Sequence, residues 1–241
     1  MIARRGGFGG PGGLDPLLVM GLLILLLAFF NGTLIGPVRN AGRDPTGFVF
    51  WIIAIVLGIT VHEFMHAYAA HRLGDDTARL LGRLSLNPMA HLDPFGTLLL
   101  VLAGFGYGKP VPFNESRLRG SLAVSAVALA GPLANFALAA LCAIPVRFGS
   151  AVAVGDLYDV LLRTIVFWNC ILGLFNLVPI PPLDGANIVY GLLPPRQQFT
   201  WNTYRQYGPV LLLLLLVFAS GFLGALVFGP AQQIYRYLVG G

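Results

Sequence analysis

A chain of 241 residues with 56% hydrophobic residues, 10% charged residues and a mean hydropathy of +0.78 falls far below the about 25% charged content of soluble domains. That excludes an ordinary soluble globular protein; several apolar runs of roughly 20 residues make it an all-α polytopic membrane protein. The net charge of +5 comes without a basic tract interleaved with aromatics, so no nucleic-acid partner is expected. Basic residues flanking cytoplasmic span ends account for it.

Residues 1–14 read as a flexible Gly-rich tail rather than a signal peptide, because the apolar run that follows has no small-residue cleavage site. A first span is expected over about 15–36, and a second over about 47–73 after the turn signals Asp44-Pro45 and Gly47. Residues 74–94 are polar and broken by Gly, Asn-Pro and Asp-Pro. The apolar run 95–107 is short for a span, so a re-entrant or short membrane segment is expected near 95–118, where it could pair with an extended substrate. Further spans follow at about 120–146, 157–178 and 208–229. The expectation is 5-6 transmembrane helices in a single integral-membrane domain over 15–241, with a catalytic core at about 48–190. Ser220 and Gly224 sit four apart in the last span, as helix-packing small residues do. Cys142 and Cys170 lie in apolar segments and read as small packing residues, not as a disulfide framework.

With the N-terminus cytoplasmic and 95–107 not crossing, Arg4, Arg5, Arg72, Arg79, Arg83, Lys109, Arg117, Arg119, Arg196 and Arg205 face the cytoplasm. Those are ten of the 15 Lys and Arg residues. Arg39, Arg43, Arg147, Arg163 and Arg236 fall on or near the other side, a bias that favours this orientation.

The second span holds GITVHEFMHAYAAH, residues 58–71. Ionisable groups at membrane depth are costly and mark function. His62-Glu63-Phe64-Met65-His66 is HExxH. Positions four apart lie roughly 40° apart on a helix and about 6 Å along its axis, so both imidazoles can share one ion. Chance HExxH matches occur in soluble helices that face water; here a bound dication offsets burial of the glutamate. Zinc is expected, and Glu63 is placed to act on its water.

A catalytic zinc needs a third protein ligand. The extended metzincin form fails, since Ala69 and Arg72 occupy its glycine and third histidine positions. His71 lies about half a turn away from the His62 face. Glu115 is the only other glutamate and sits in a polar loop. Asp75, Asp76, Asp156 and Asp159 fall at span ends or in loops, where solvated or capping carboxylates are the default. Asp184, in NLVPIPPLDG, is different. Pro179, Pro181 and Pro182 stop the helix, and Gly185 permits a sharp turn beside the carboxylate. Irregular backbone at membrane depth is tolerated where it lines a site.

HExxH in one span with Asn176, Pro179, Pro181, Pro182, Leu183, Asp184 and Gly185 at the end of a later one resembles the site-2 protease family of intramembrane zinc metalloproteases. The element Gly131-Pro132-Leu133-Ala134-Asn135 is similar to that family's G-P-x-x-N. The stretches GRLSLNPMAHLDPFGT and GKPVPFN resemble its compact branch without a PDZ domain. The resemblance implies one zinc ion held by His62, His66 and Asp184, with Glu63 as general base and acid. It further implies that Asn176 positions substrate or stabilises the oxyanion and that Asn135 braces the core. One glycine rather than two follows Asp184, a mild departure.

The expected reaction is hydrolysis of peptide bonds in or beside transmembrane segments of membrane proteins in the lipid bilayer, at segments that unwind locally. The expected setting is the plasma membrane of a prokaryote, with the active site toward the cytoplasmic leaflet. Water is expected to arrive near Asn87, His91 and Asp93. His91 either lines the site, bonds to a ligand, or caps its own loop. The competing class is a metal-binding membrane protein that cleaves nothing, a carrier or a scaffold. A carrier would spread ionisable groups along a path, whereas here they gather toward one leaflet.

Overall fold

The structure, a computed structural model, describes residues 22, 41–103, 107–149, 156–218 and 220–241. Among them it is helical, with one isolated antiparallel bridge, Leu92 to Gly108, and no strand.

Helix α1 spans Pro45–Arg72. Asp44 caps it by accepting from the Gly47 N–H at 2.9 Å, and Pro45 occupies the first turn, where its missing N–H costs nothing. His71 and Arg72 face the negative end of the helix dipole in its last turn. Gly74, at φ +105°, then turns the chain into a short helix α2, Thr77–Leu80. The 28 residues of α1 span about 42 Å at 1.5 Å per residue, enough to cross a hydrocarbon core of about 30 Å.

Helix α3 covers Pro94–Ala103. Asp93 starts it by accepting from the Phe95 and Gly96 N–H groups at 3.0 and 2.8 Å. Its ten described residues make about 15 Å of helix, half a bilayer core.

Helix α4, Ala123–Phe148, is the centre of the molecule and packs against α1, against α5 (Asp156–Asn176) and against α6 (Asp184–Leu192). Its buried positions are mostly small: Ala123, Ala128, Gly131, Ala134, Ala139 and Ala143. Where lipid gives no hydrophobic drive between helices, small residues let backbones approach and gain dispersion contact. A second cluster joins α4 and α5 to the C-terminal part through Val166, Cys170, Ile171, Leu212 and Val227. Cys142 and Cys170 are both free.

Among the described residues, α1, α4 and the Leu157–Asn176 stretch of α5 are the helices long and apolar enough to cross a membrane. The expected span at 15–36 lies, apart from Leu22, outside the described residues. The expected span at 208–229 is helical over its described residues and carries a π-helical stretch near its end. The described residues there are α8 (Gly208–Phe218), α9 (Ser220–Leu223) and a π-helical turn, Gly224–Phe228, which runs directly into α10 (Gly229–Val239). Pro230 follows the π stretch and has no N–H to give back to it. Helix α7, Pro195–Arg205, lies between and is largely exposed.

Candidate metal centre

His62 and His66 project from α1 into the face covered by α4, and both are buried. Neither ring is free to turn. His62 Nδ1 lies 2.7 Å from Asn135 Oδ1, and His66 Nδ1 lies 2.7 Å from the Val127 carbonyl. Pro132 has no N–H to give Ala128, which loosens the helical ladder in the turn that presents Val127 to His66.

The tautomers follow from the acceptors. A carbonyl only accepts, so His66 Nδ1 carries the proton. Asn135 Nδ2 donates to the Gly58 carbonyl at 3.1 Å and to Asn169 Oδ1 at 2.9 Å. Its oxygen is therefore the atom that faces His62, whose Nδ1 must donate. Asn169 is oriented in turn by giving its Nδ2–H to the Ile165 carbonyl at 2.9 Å. Two backbone carbonyls thus set the direction of the whole chain, and both rings present bare Nε2 lone pairs on the opposite side.

Those lone pairs meet a carboxylate. Asp184 Oδ2 lies 2.9 Å from His62 Nε2 and 3.2 Å from His66 Nε2, and the two Nε2 atoms are 3.0 Å apart. Asp184 begins α6 immediately beyond the bend 177–183, where the Ile180 and Leu183 N–H groups donate to Val178 and Ile180 carbonyls. Gly185 makes that bend compatible with α6. A Cβ there would meet the Leu177 carbonyl carbon at 2.6 Å, with the Leu177 and Val178 oxygens nearer still.

Three acceptors converge without a donor between them, an arrangement that repels unless a cation occupies the centre. Zinc bonds of about 2.0–2.1 Å at tetrahedral angles separate ligand atoms by about 3.3 Å. The observed spacings sit just under that value, and imidazole with carboxylate is a donor set zinc accepts. The residues therefore fit the ion. His62, His66 and Asp184 are also the only such group of three among the described residues.

Glu63, next to His62, turns toward the segment after α3. Its Oε2 accepts from the Val111 N–H at 3.0 Å. The centre opens into a cavity of about 710 Å³ lined by Trp51, Ile59, Leu100, Phe113, Trp168, Phe175, Val227 and other mostly apolar groups.

The remaining expected site residues divide. Asn135 reaches the centre through His62. Asn176 lines the cavity, with its Nδ2 donating back to the Leu172 carbonyl at 3.0 Å. Asn87 and His91 are neither among the three converging groups nor among the residues that line the cavity. Asn87 is exposed and caps the 3-10 turn Pro88–Ala90, accepting from Met89 N–H at 3.1 Å. His91 is fully buried, with Nε2 against the Ser85 carbonyl at 2.6 Å, and ties down its own loop. Asp93 caps α3, as described. Sequence reasoning missed Asn169, Val127 and the packing role of Gly131. A buried asparagine in an apolar span was the available signal for the first. A backbone carbonyl leaves no such signal.

A sequence model of peptidase family M50 matches residues 50–155 and 146–218. The chain is 38% identical over 185 residues to YwhC of Bacillus subtilis (strain 168), covering 71% of this chain and 82% of that protein. It is 30% identical over 214 residues to Rip2 of Mycolicibacterium smegmatis, covering 81% and 78%. Both relatives are named as zinc metalloproteases. An archaeal relative, Zinc metalloprotease MJ0392 of Methanocaldococcus jannaschii, is 27% identical over 175 residues, which are 70% of this chain and 43% of that protein. No solved structure matches the chain. With its two motifs meeting at one buried centre and the family match running through both, the chain belongs to peptidase family M50, the site-2 proteases, and is an intramembrane zinc metalloprotease.

Proposed function

We propose that His62, His66 and Asp184 hold one zinc ion, and that Glu63 moves the protons of peptide-bond hydrolysis at locally unwound transmembrane segments of membrane proteins. The observation that carries this reading is the convergence of three lone pairs within about 3 Å, each fixed from behind by a hydrogen bond or a backbone bend. When bound there, zinc supplies Lewis acidity, polarising the substrate carbonyl and lowering the pKa of water.

The chain's own groups do the rest. Glu63 Oε2 is engaged by Val111 N–H, which leaves Oε1 to take a proton from the attacking water and return it to the leaving nitrogen. Asn135 keeps His62 in the tautomer that offers Nε2 outward. Asn176 stands at the cavity wall, where its amide can orient the substrate or the developing oxyanion once it leaves the Leu172 carbonyl. The apolar lining keeps bulk water from the reacting bond and favours apolar substrate side chains.

The wider reading is a single integral-membrane domain over 15–241, with its core at 48–190 and five to six spans. The N-terminus is cytoplasmic and the centre lies toward the cytoplasmic leaflet of a prokaryotic plasma membrane. The Lys/Arg bias supports that orientation. Glu63→Gln, purified and reconstituted beside wild type with a membrane-embedded test substrate, separates the roles. One zinc per chain in both proteins with cleavage lost only in the variant is the expected result. Unchanged cleavage by Glu63→Gln would falsify the assignment.

A further inference from the structure

Arg83 is a buried cation that the reaction, as derived so far, does not use. It is 6% exposed, and among the described residues no carboxylate lies within ion-pairing distance of it. One terminal nitrogen of its guanidinium donates to the Lys109 carbonyl and, at 3.4 Å, to the Pro110 carbonyl. Its Nε is buried without a partner. A charge so placed is expensive unless something beyond two neutral carbonyls compensates it.

The compensation lies one peptide away. The Pro110 carbonyl and the Val111 N–H belong to the same peptide unit, and that N–H donates to Glu63 Oε2 at 3.0 Å. The sequence KPVP leaves no neighbouring donor to replace it: Pro110 and Pro112 have no N–H, and the Lys109 N–H is already given to the His91 carbonyl at 2.7 Å. Cation, peptide dipole and carboxylate therefore line up in order. A cation at the carbonyl end of a peptide strengthens the donor at its other end. Burial pushes the Arg83 guanidinium down from its usual value, and the Glu63 charge acts in the opposite direction.

We propose that Arg83 is a positioning residue for Glu63, acting through the Pro110–Val111 peptide to hold the carboxylate's Oε2 and leave Oε1 aimed at the reacting centre. This rests on the proteolytic reading above. Arg83 touches neither substrate nor metal, so its loss slows turnover without weakening substrate binding.

The test uses the full-length, zinc-loaded protein as wild type, Arg83→Met and Arg83→Lys. Cleavage kinetics in proteoliposomes and zinc per chain are measured. The Val111 amide proton is followed in 15N-valine-labelled protein in micelles, its resonance assigned by its loss in Val111→Ile. Arg83→Met is expected to lower kcat by on the order of 10–100-fold, with KM within about twofold, zinc retained, and the Val111 proton moved upfield. Arg83→Lys keeps the charge but not the planar fork, and falls between the two. Wild-type kcat or an unmoved Val111 resonance in both variants overturns the proposal. So does a fall in kcat accompanied by lost zinc or a matching rise in KM, since that marks upkeep of the fold. If Arg83→Met does not fold, Arg83→Lys decides: lowered kcat at constant KM supports the proposal and wild-type kcat overturns it. A wild type that cleaves nothing instead removes the proteolytic reading, and this inference with it.

Discussion

Replacing Gly131 by alanine probes how tightly the ligand pair is seated. A Cβ at that position would lie 2.6 Å from His66 Cε1 and 2.7 Å from His62 Cε1, and closer still to His66 Nε2. Carbon atoms pack at about 3.5–4.0 Å, so both rings, or α4 itself, must give by about 0.8–0.9 Å. Neither ring can do so freely, because each Nδ1 is held at 2.7 Å by an acceptor on α4. Metal sites tolerate ligand shifts of only about 0.2 Å. The expected loss is at least that of removing an outer hydrogen-bond partner, on the order of 10–100-fold in zinc affinity, or about 1.4–2.7 kcal/mol. Competition against a chromophoric chelator in detergent measures it. Gly221→Ala is the control, since nothing lies within 4 Å of a Cβ there; it should bind zinc as wild type does, with equal or slightly higher Tm. A Gly131→Ala protein with zinc affinity within twofold of wild type would show that α4 does not wedge the rings, and the packing argument would fail.

Other outcomes follow from the same geometry. Asn169→Leu removes the acceptor that orients Asn135, and should weaken zinc binding by about tenfold while leaving the helices intact by circular dichroism. Stripping zinc with a chelator should lower Tm reversibly, because a ligand held at 1,000 times its Kd stabilises by about 4 kcal/mol; an unchanged Tm would mean the centre holds no ion. Asp75 is fully buried and accepts from Thr77 and from the Asn114 N–H at 2.6 Å, so Asp75→Ala should cost about 1–3 kcal/mol in denaturant unfolding. Asp76 carries a pH dependence: hydrogen bonds from Arg79, then His71, hold its carboxyl below the usual value. A lowered folded-state pKa gives stability that is present above about pH 4 and lost as pH falls through the folded value. The pair is exposed and screened, so Asp76→Asn should flatten only a shallow acid limb of the Tm–pH curve and leave neutral pH unchanged.

What could be read from the chain alone was whatever covalent spacing decides. The i,i+4 histidines on α1 share a face by helical geometry, and the prolines before Asp184 stop α5 whatever surrounds them. The Asn135–Asn169 link depends on how α4 and α5 are rotated against each other, which neither helix encodes separately. For His91, NPMAHLDP leaves three roles open, and spacing alone does not choose between lining the site and capping the loop. The segment folds into a 3-10 turn in which Asn87 and His91 bond to their own loop, the last of those roles. The π-helical stretch inside the apolar run at 208–229 leaves no mark on a hydropathy that averages over it.

The centre draws its donors from positions 118 residues apart. A ribosome that has delivered α1 has made HExxH but not the carboxylate, and the rings have no Asn135 or Val127 to hold them until α4 is inserted. The nascent chain is therefore unarmed through most of its synthesis. The set of three is complete only when α6 docks on α4, after the three described helices long enough to cross a membrane have been made.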